Sequence, residues 1–129
     1  MAYTPTTQEA QDITKQALTK IFQAARSDDT NAMAAYLLYR GNDKARHWQV
    51  LADMTIEDDR SHVERIARRI KRYQTESEGY QFEDFFEEND RDGQWYCWTV
   101  YFRKGVDRKI CHFRFRAVGD TLALGDIDT

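Results

Sequence analysis

The sequence predicts an α+β fold in which N-terminal helices pack on a strongly curved antiparallel sheet. Three observations predict it: apolar residues recur at helical spacing before Gly79, they alternate with polar residues after it, and short turns separate the alternating segments. A chain of 129 residues has room for one domain, which we expect to span 1–129. Only the polar stretch at 1–7 is expected to be flexible.

Two long helices are predicted. An apolar stripe predicts the first over residues 8–26, and a second stripe predicts another over residues 56–74. Thr55 and Asp58 resemble a capping box at the start of the second helix. The first stripe is formed by Ile13, Ala17, Leu18, Ile21, Phe22 and Ala25, and the second by Val63, Ile66, Ala67, Ile70 and Tyr73.

The segment between these helices is less regular. Asp29 or Thr30 can cap a short helical stretch. The sequence YLLYR at 36–40 continues that stretch or forms a short strand, and both interpretations fit. The apolar residues of 44–54 are compatible with another short helix.

Four strands follow, at about 80–88, 94–103, 108–118 and 121–128. Gly119-Asp120 has the composition of a type II′ turn, which places Phe115 opposite Leu124 and Phe113 opposite Asp126. A four-residue loop at 104–107 places Trp98 opposite Phe113. Extending the register through the loop at 89–93 places Phe86 opposite Tyr96 and Asp84 opposite Trp98.

Strict alternation then divides the side chains between two faces. The inner face, against the helices, would hold Tyr80, Phe82, Asp84, Phe86, Tyr96, Trp98, Val100, Phe102, Cys111, Phe113, Phe115, Ala117, Leu122, Leu124, Asp126 and Asp128. The outer face would hold Glu83, Phe85, Glu87, Trp95, Cys97, Thr99, Tyr101, Ile110, His112, Arg114, Arg116 and Ile127. Because Cys97 and Cys111 fall on opposite faces, we expect two free thiols.

The inner face supplies the candidate ligand site: Asp84, Tyr96, Trp98, Phe113 and Asp126. Burying a carboxylate without a partner costs several kcal/mol, so acids among aromatic side chains indicate a cavity or a cation. The expected ligand is small and apolar or cationic, and Asp126 is the candidate catalytic acid or base. The alternative is that the acids end the strands or bond to Arg40, Arg46 or helix N-termini, and that the aromatic residues only pack.

The outer face mixes aromatic and charged residues, which favours a homodimer interface formed by Trp95, Tyr101, His112, Arg114 and Arg116. A solvent-exposed face is the alternative. His112 could also transfer a proton, but we find no aligned nucleophile beside it.

Several classes are disfavoured. A net charge of −3 gives no field for nucleic acid, and the basic run Arg65, Arg68, Arg69, Lys71 and Arg72 is interpreted as a solvated helix face. The sequence contains neither an apolar stretch long enough to cross a membrane nor a leader, so a cytoplasmic protein is expected. His47 and His62 each lack a second ligand at helical spacing, so no metal or other cofactor is expected.

The chain resembles the nuclear transport factor 2-like superfamily, a cone-shaped α+β fold shared with ketosteroid isomerases and SnoaL-like cyclases. The segments ARSDDTNAMAAYL, WYCWTVYF, CHFRFRAVGD and LALGDID carry the resemblance, with a likeness to uncharacterised bacterial members. It implies a concave sheet wrapped on helices, a pocket at the wide end of the cone and homodimers through the outer face. It does not imply one activity, since the fold serves many.

Three functions follow as hypotheses. The first is a dimeric ligand-binding or regulatory domain whose cone holds a small molecule. The second is an acid–base enzyme of isomerase, dehydratase or cyclase type, in which Asp126 transfers a proton while Tyr36, Tyr80 or Tyr96 stabilises charge. The third is a structural module that binds a partner through the outer face of the sheet.

Overall fold

The computed structural model describes residues 3–129 and contains helices packed on an open, curved antiparallel sheet, which confirms the α+β prediction. The sheet has the order β1-β2-β3-β4, so β1 and β4 are its edges and it does not close into a barrel. In chain order the elements are α1 (Thr7–Arg26), α2 (Thr30–Ala34), α3 (Glu57–Thr75), β1 (Gly79–Asp90), β2 (Gly93–Lys104), β3 (Asp107–Val118) and β4 (Thr121–Asp128).

Helix α1 matches its prediction and begins with a capping box. The Glu9 N–H donates to Thr6 Oγ1 at 3.1 Å, and the Thr6 N–H donates to Glu9 Oε1 at 3.0 Å. Residues 1 and 2 of the stretch expected to be flexible lie outside the described residues. Thr6 and Thr7 at its other end instead belong to the start of this helix.

Both interpretations of residues 30–40 are partly right. Asp29 caps α2 by accepting the Ala32 N–H at 3.0 Å, as predicted. Leu37 then bridges Leu124 of β4, and Leu38 bridges Leu51, as isolated β-type pairs. This short extended segment therefore covers part of the edge of β4.

The short helix predicted at 44–54 is wrong, because this segment folds back on Tyr39. The Tyr39 N–H donates to the Val50 carbonyl and the Trp48 N–H donates to the Tyr39 carbonyl, each at 2.9 Å. Trp48 takes a φ of 59°, which is incompatible with a right-handed helix. The returning loop places Trp48 over the outer face of the sheet.

Helix α3 matches its prediction in extent, but the predicted capping box is wrong. Ile56 occupies the N-cap position without a side-chain bond, and Thr55 donates to Asp53 instead. A buried ion pair fixes this end: Arg46 Nη2 lies 2.6 Å from Asp59 Oδ2. Burial alone would raise the pKa of Asp59, but the hydrogen bonds from Arg46 and the Asp53 N–H outweigh it and hold the pKa below its usual value.

The closing hairpins begin in the predicted register. Val118 pairs with Thr121 across Gly119-Asp120, and the φ of 59° at Gly119 fits a type II′ turn. Phe115 pairs with Leu124, and Trp98 pairs with Phe113, both as predicted.

Two β-bulges then shift the register. Gly125 is unpaired in β4, so Arg114 pairs with Asp126 and Phe113 pairs with Ile127. Glu83 is unpaired in β1, which shifts every later pair of that strand by one residue. Strict alternation is therefore wrong for the end of β4 and for most of β1. The residues exchanged between faces include both predicted pocket acids.

The core lies between the inner face of the sheet and the two long helices. Its largest fully buried side chains include Phe113, Phe115, Leu18, Ile21, Met33, Leu37 and Ile70. No helix formed by residues 3–129 is both long enough and apolar enough to cross a membrane.

Candidate ligand-binding cleft

The predicted interior pocket is filled by its own side chains. Tyr96, Trp98 and Phe113 are buried and belong to the hydrophobic core. The Trp98 indole N–H donates to Thr14 Oγ1 at 2.9 Å, and the Thr14 hydroxyl donates to the Ala10 carbonyl at 2.6 Å. These bonds satisfy the Trp98 indole N–H and the Thr14 hydroxyl, so neither group is left as a donor for a ligand.

The two acids of the predicted pocket lie elsewhere. The bulge at Glu83 pairs Asp84 with Thr99 on the outer face, where Asp84 is exposed. The bulge at Gly125 turns Asp126 outward in the same way. Their predicted placement among the inner aromatic residues is therefore wrong, and Phe85 and Ile127 occupy the inner positions instead.

Asp126 is held between two guanidinium groups. Arg40 Nη1 lies 2.8 Å from Asp126 Oδ1, and Arg114 Nη1 lies 3.8 Å from Asp126 Oδ2. This agrees with the alternative in which a strand-end acid pairs with Arg40. The space beside Asp126 amounts to about 10 Å³, which is room for about one water molecule. The carboxylate is placed for an ion pair rather than for contact with a ligand.

The outer face is partly covered within the protomer. Trp95 is 1% exposed, because the Trp48 ring meets it edge-on at 4.9 Å and two guanidinium groups cover its face. Arg114 lies 4.8 Å and Arg116 4.9 Å from the centre of that ring. Trp95 therefore has almost no area to offer a partner, which contradicts its predicted role as an interface anchor.

The other predicted interface residues are partly accessible. His112 Nδ1 lies 3.0 Å from Thr99 Oγ1, and its ring lies 6.0 Å from that of Phe86. Tyr101 pairs with Ile110 across the strands, and Arg108 lies over its ring at 4.5 Å. The exposed apolar part of this face is thus displaced from Trp95 toward Ile110, which is 40% exposed.

A cleft of about 340 Å³ lies where α1 and α3 end beside the start of β1. Tyr80 and Phe102 form its aromatic wall, and we call it the aromatic cleft. Its volume lies within the range typical of small-molecule sites. The residues that line it are Arg26, Lys71, Gln74, Thr75, Ser77, Glu78, Gly79, Tyr80 and Phe102.

The wall of the aromatic cleft is continuous with the core. The ring of Phe22 meets Tyr80 edge-on at 4.7 Å and Phe102 edge-on at 5.8 Å. Phe102 is buried, whereas Tyr80 is 37% exposed and presents one side to the cleft. The inner face of the sheet therefore becomes accessible at this end of the molecule.

Gln74 lines the aromatic cleft and carries an acceptor without a partner. Its Nε2 donates to the Phe22 carbonyl at 2.8 Å, which fixes the orientation of the amide, since a flipped amide would oppose two oxygens. Its Oε1 is buried and has no hydrogen-bond partner among the described residues. A buried acceptor without a partner costs about 1–3 kcal/mol, and a donor from a ligand would remove that cost.

The charges around the aromatic cleft are mostly engaged. Lys71 Nζ lies 2.6 Å from Asp28 Oδ1, and Glu78 Oε1 accepts the Gly105 N–H at 2.8 Å. Arg26 forms no ion pair with any residue of the described part of the chain, so it is available at the end of α1. The cleft is therefore weakly cationic, which does not favour the cationic ligand predicted from Asp84 and Asp126.

Sequence reasoning misses this site. Alternation correctly puts Tyr80 and Phe102 on the inner face, but nothing distinguishes Gln74 among the charged residues at the end of α3. What distinguishes Gln74 is its unpaired Oε1. The orientation of that oxygen is fixed by the bond from Nε2 to the Phe22 carbonyl, 52 residues away, so a local pattern does not reveal it.

Neither cysteine is placed to act as a nucleophile. Both cysteines are free and buried, on opposite faces as predicted. Burial raises the pKa of Cys97 and of Cys111 to about 11, so both stay protonated near neutral pH. Among residues 3–129, the structure brings together no group of three or more side chains able to hold a metal ion.

No family model, curated protein or solved structure matches this chain. Membership of the nuclear transport factor 2-like superfamily therefore stays a prediction.

Proposed function

We propose that this protein is a small-molecule-binding domain whose ligand lies in the aromatic cleft. One observation carries the proposal: Gln74, which lines a cleft with an aromatic wall, has a buried Oε1 without a hydrogen-bond partner. The cleft combines this aromatic wall with polar side chains, and the Gln74 amide among them is oriented by its bond to Phe22. Apolar surface beside a few oriented polar groups is typical of a ligand site. The site differs from the predicted interior pocket, which core side chains fill.

The chemistry of the cleft defines the class of ligand. Tyr80 and Phe102 favour a flat, apolar ring, and Gln74 Oε1 requires a hydrogen-bond donor on that ring. The unpaired guanidinium of Arg26 would attract a negative charge at the edge of the ligand. A neutral or weakly acidic aromatic molecule with a hydroxyl or N–H group meets these conditions.

Binding is better supported than acid–base catalysis. The enzyme hypothesis requires Asp126 to face a substrate inside the cone, whereas its two oxygens face Arg40 and Arg114. In the aromatic cleft, Tyr80 and Glu78 are the groups that could exchange a proton, and Glu78 Oε1 is already bonded. Catalysis needs an aligned pair of groups, which this arrangement does not offer.

Two matched compounds test the proposal by NMR. Phenol carries a donor, and anisole has a similar ring without one. We expect phenol to shift the Gln74 side-chain amide and the Tyr80 ring signals saturably, with anisole binding more weakly. Replacing Gln74 with Leu should equalise the two compounds, and Tyr80→Ala should weaken both.

Phe86→Ala is the control, because it removes another partly exposed aromatic side chain outside the cleft. It should leave both affinities unchanged. If phenol and anisole bind the wild type equally, or if the shifted signals lie away from the cleft, the proposed function is wrong.

A homodimer through the outer face remains part of the proposal. Ile110 is exposed there and pairs with the half-buried Tyr101, and the Trp95 region is covered. Light scattering of Ile110→Asp tests it, with Val106→Asp at the exposed β2–β3 turn as the control. We expect only Ile110→Asp to reduce the mass of the associated species; an unchanged mass would remove this surface from consideration.

A further inference from the structure

A second concave surface runs along α3, beside the end of β4. We call it the arginine groove, and it has a volume of about 700 Å³. It shares no lining residue with the aromatic cleft, so it is a separate candidate site. The residues that line it are Arg40, His62, Arg65, Ile66, Arg68, Arg69 and Arg72.

The basic run of α3 is divided between two sides of the helix. Lys71 points away from the groove and pairs with Asp28 at 2.6 Å. Arg65, Arg68 and Arg72 turn toward the groove, and their side chains form no hydrogen bond or ion pair with any residue in the described part of the chain. Arg65, Arg68 and Arg72 are exposed, as the interpretation of the run as a solvated helix face expects. That interpretation does not account for their convergence with Arg40 on one groove.

Arg69 is held in place at the centre of the groove. Its Nε donates to Tyr73 Oη at 2.5 Å, and its Nη2 donates to the Ile127 carbonyl at 3.3 Å. Such bonds order a guanidinium before a ligand arrives, so less side-chain entropy is lost on binding. Arg40 is oriented in a similar way by Asp126.

The local charge is opposite to that of the whole chain. Five guanidinium groups line the groove, and Asp126 neutralises only that of Arg40 among the described residues, although the net charge of the protein is −3. The pKa of His62, which also lines the groove, is lowered by burial and by the same positive charges. Burial lowers its pKa first, and the positive charges of Arg40 and Arg65 lower it further, against the opposing effect of Asp59. Like charges so placed repel one another unless an anion neutralises them.

We propose that the arginine groove binds a compact polyanion, a small molecule bearing a diphosphate or triphosphate group. Guanidinium forks match phosphate oxygens in a bidentate manner, and one such group carries enough charge for several arginines. Arg65 and Arg72 are seven residues apart, which is about 10 Å along the helix axis. That span suits a chain of two or three phosphates.

A nucleic acid duplex or an acidic protein fits less well. Each needs an extended basic surface, whereas this groove is confined to about two helical turns. Glu57 and Asp58 lie at the start of the same helix and would repel a longer polyanion.

Calorimetric titration with pyrophosphate and tripolyphosphate, at constant ionic strength near 0.15 M, tests the proposal. We expect saturable binding that Arg65→Gln and Arg72→Gln each weaken about tenfold or more. These side chains have no internal partner, so the variants should fold normally. Arg91→Gln makes the same charge change at the exposed β1–β2 turn, and it should bind like wild type.

Three outcomes would overturn the proposal. The first is the absence of saturable binding at millimolar pyrophosphate and tripolyphosphate. The second is equal weakening by Arg91→Gln, which indicates unspecific charge attraction. The third is tighter, Arg65-dependent binding of a single-stranded oligonucleotide or a glutamate-rich peptide than of tripolyphosphate. Each of these results would leave the aromatic cleft, and the phenol and anisole test, unaffected.

Discussion

The packing around Gly125 can be tested by adding a single methyl group. A Cβ at this position would lie 3.0 Å from Trp95 Cζ3 and 3.2 Å from Leu38 Cδ1. Both neighbours are buried, and the indole cannot move without disturbing Trp48 and the two arginines stacked on it. Overpacking of this kind costs about 1–3 kcal/mol.

We therefore expect Gly125→Ala to lower the free energy of unfolding by about 1–3 kcal/mol. At roughly 2.1 cal/mol/K of unfolding entropy per residue, this corresponds to a fall in Tm of about 4–11 °C for a chain of this length. Calorimetry measures the Tm, and urea unfolding measures the free energy of unfolding. The urea transition should be followed by tryptophan fluorescence, since Trp95 is the residue displaced.

Gly79→Ala is the matched control. A Cβ at Gly79 would meet no atom within 4 Å, and its φ lies outside the left-handed region. Where the conformation permits it, exchanging glycine for alanine stabilises a protein by about 0.4–1 kcal/mol through the unfolded chain. We expect Gly79→Ala to match or exceed the wild-type Tm. If Gly125→Ala is as stable as wild type, Gly125 does not pack against Trp95 and Leu38 as described.

Three further predictions concern buried polar groups. Asp59→Asn should lower the free energy of unfolding by about 3 kcal/mol, the low end for breaking a buried ion pair, because its arginine partner is 26% exposed. The pKa of Asp59 is lowered in the folded protein, so this advantage of the wild type should fade as the pH falls below about 3.8. Thr14→Val should lower the free energy of unfolding, measured in urea, by about 1–3 kcal/mol, because it leaves the buried indole N–H of Trp98 unpaired. Thr19→Val is the control; it removes only an exposed hydrogen bond and should cost less. Cys97 and Cys111 should resist a thiol reagent at pH 8 until the protein unfolds, and rapid labelling of the folded protein would contradict their burial.

The elements can be predicted from the sequence because their signals are local. The stripes of α1 and α3 and the turn at Gly119 each arise within a few residues, and the structure agrees with them. The helix prediction for 44–54 is wrong because the backbone of this segment bonds to Tyr39, outside the window that its own pattern covers. Tertiary contacts override weak local preference in such segments.

The candidate site depends on register, which an unrecognised bulge inverts. Gly125 interrupts a strand pattern, and an isolated glycine there is a known sign of a bulge. The adjacent pair Phe85 and Phe86 likewise breaks the alternation in β1. Both signs are present in the sequence, and together they favour an outward placement of Asp84 and Asp126. The arginine groove has no such local sign, because chain order alone does not tell which arginines converge with Arg40.

The bulged register of β4 places Ile127 in the core and turns Asp126 outward toward its arginine partners. The arginine groove depends on this register, because Asp126 orients Arg40. Nuclear Overhauser contacts between β3 and β4 test this register most directly. It predicts strong contacts from the Phe113 ring to the Ile127 methyl groups and none to the Asp126 β-protons. Contacts from Phe113 to Asp126 instead would contradict it, since they would return that carboxylate to the interior.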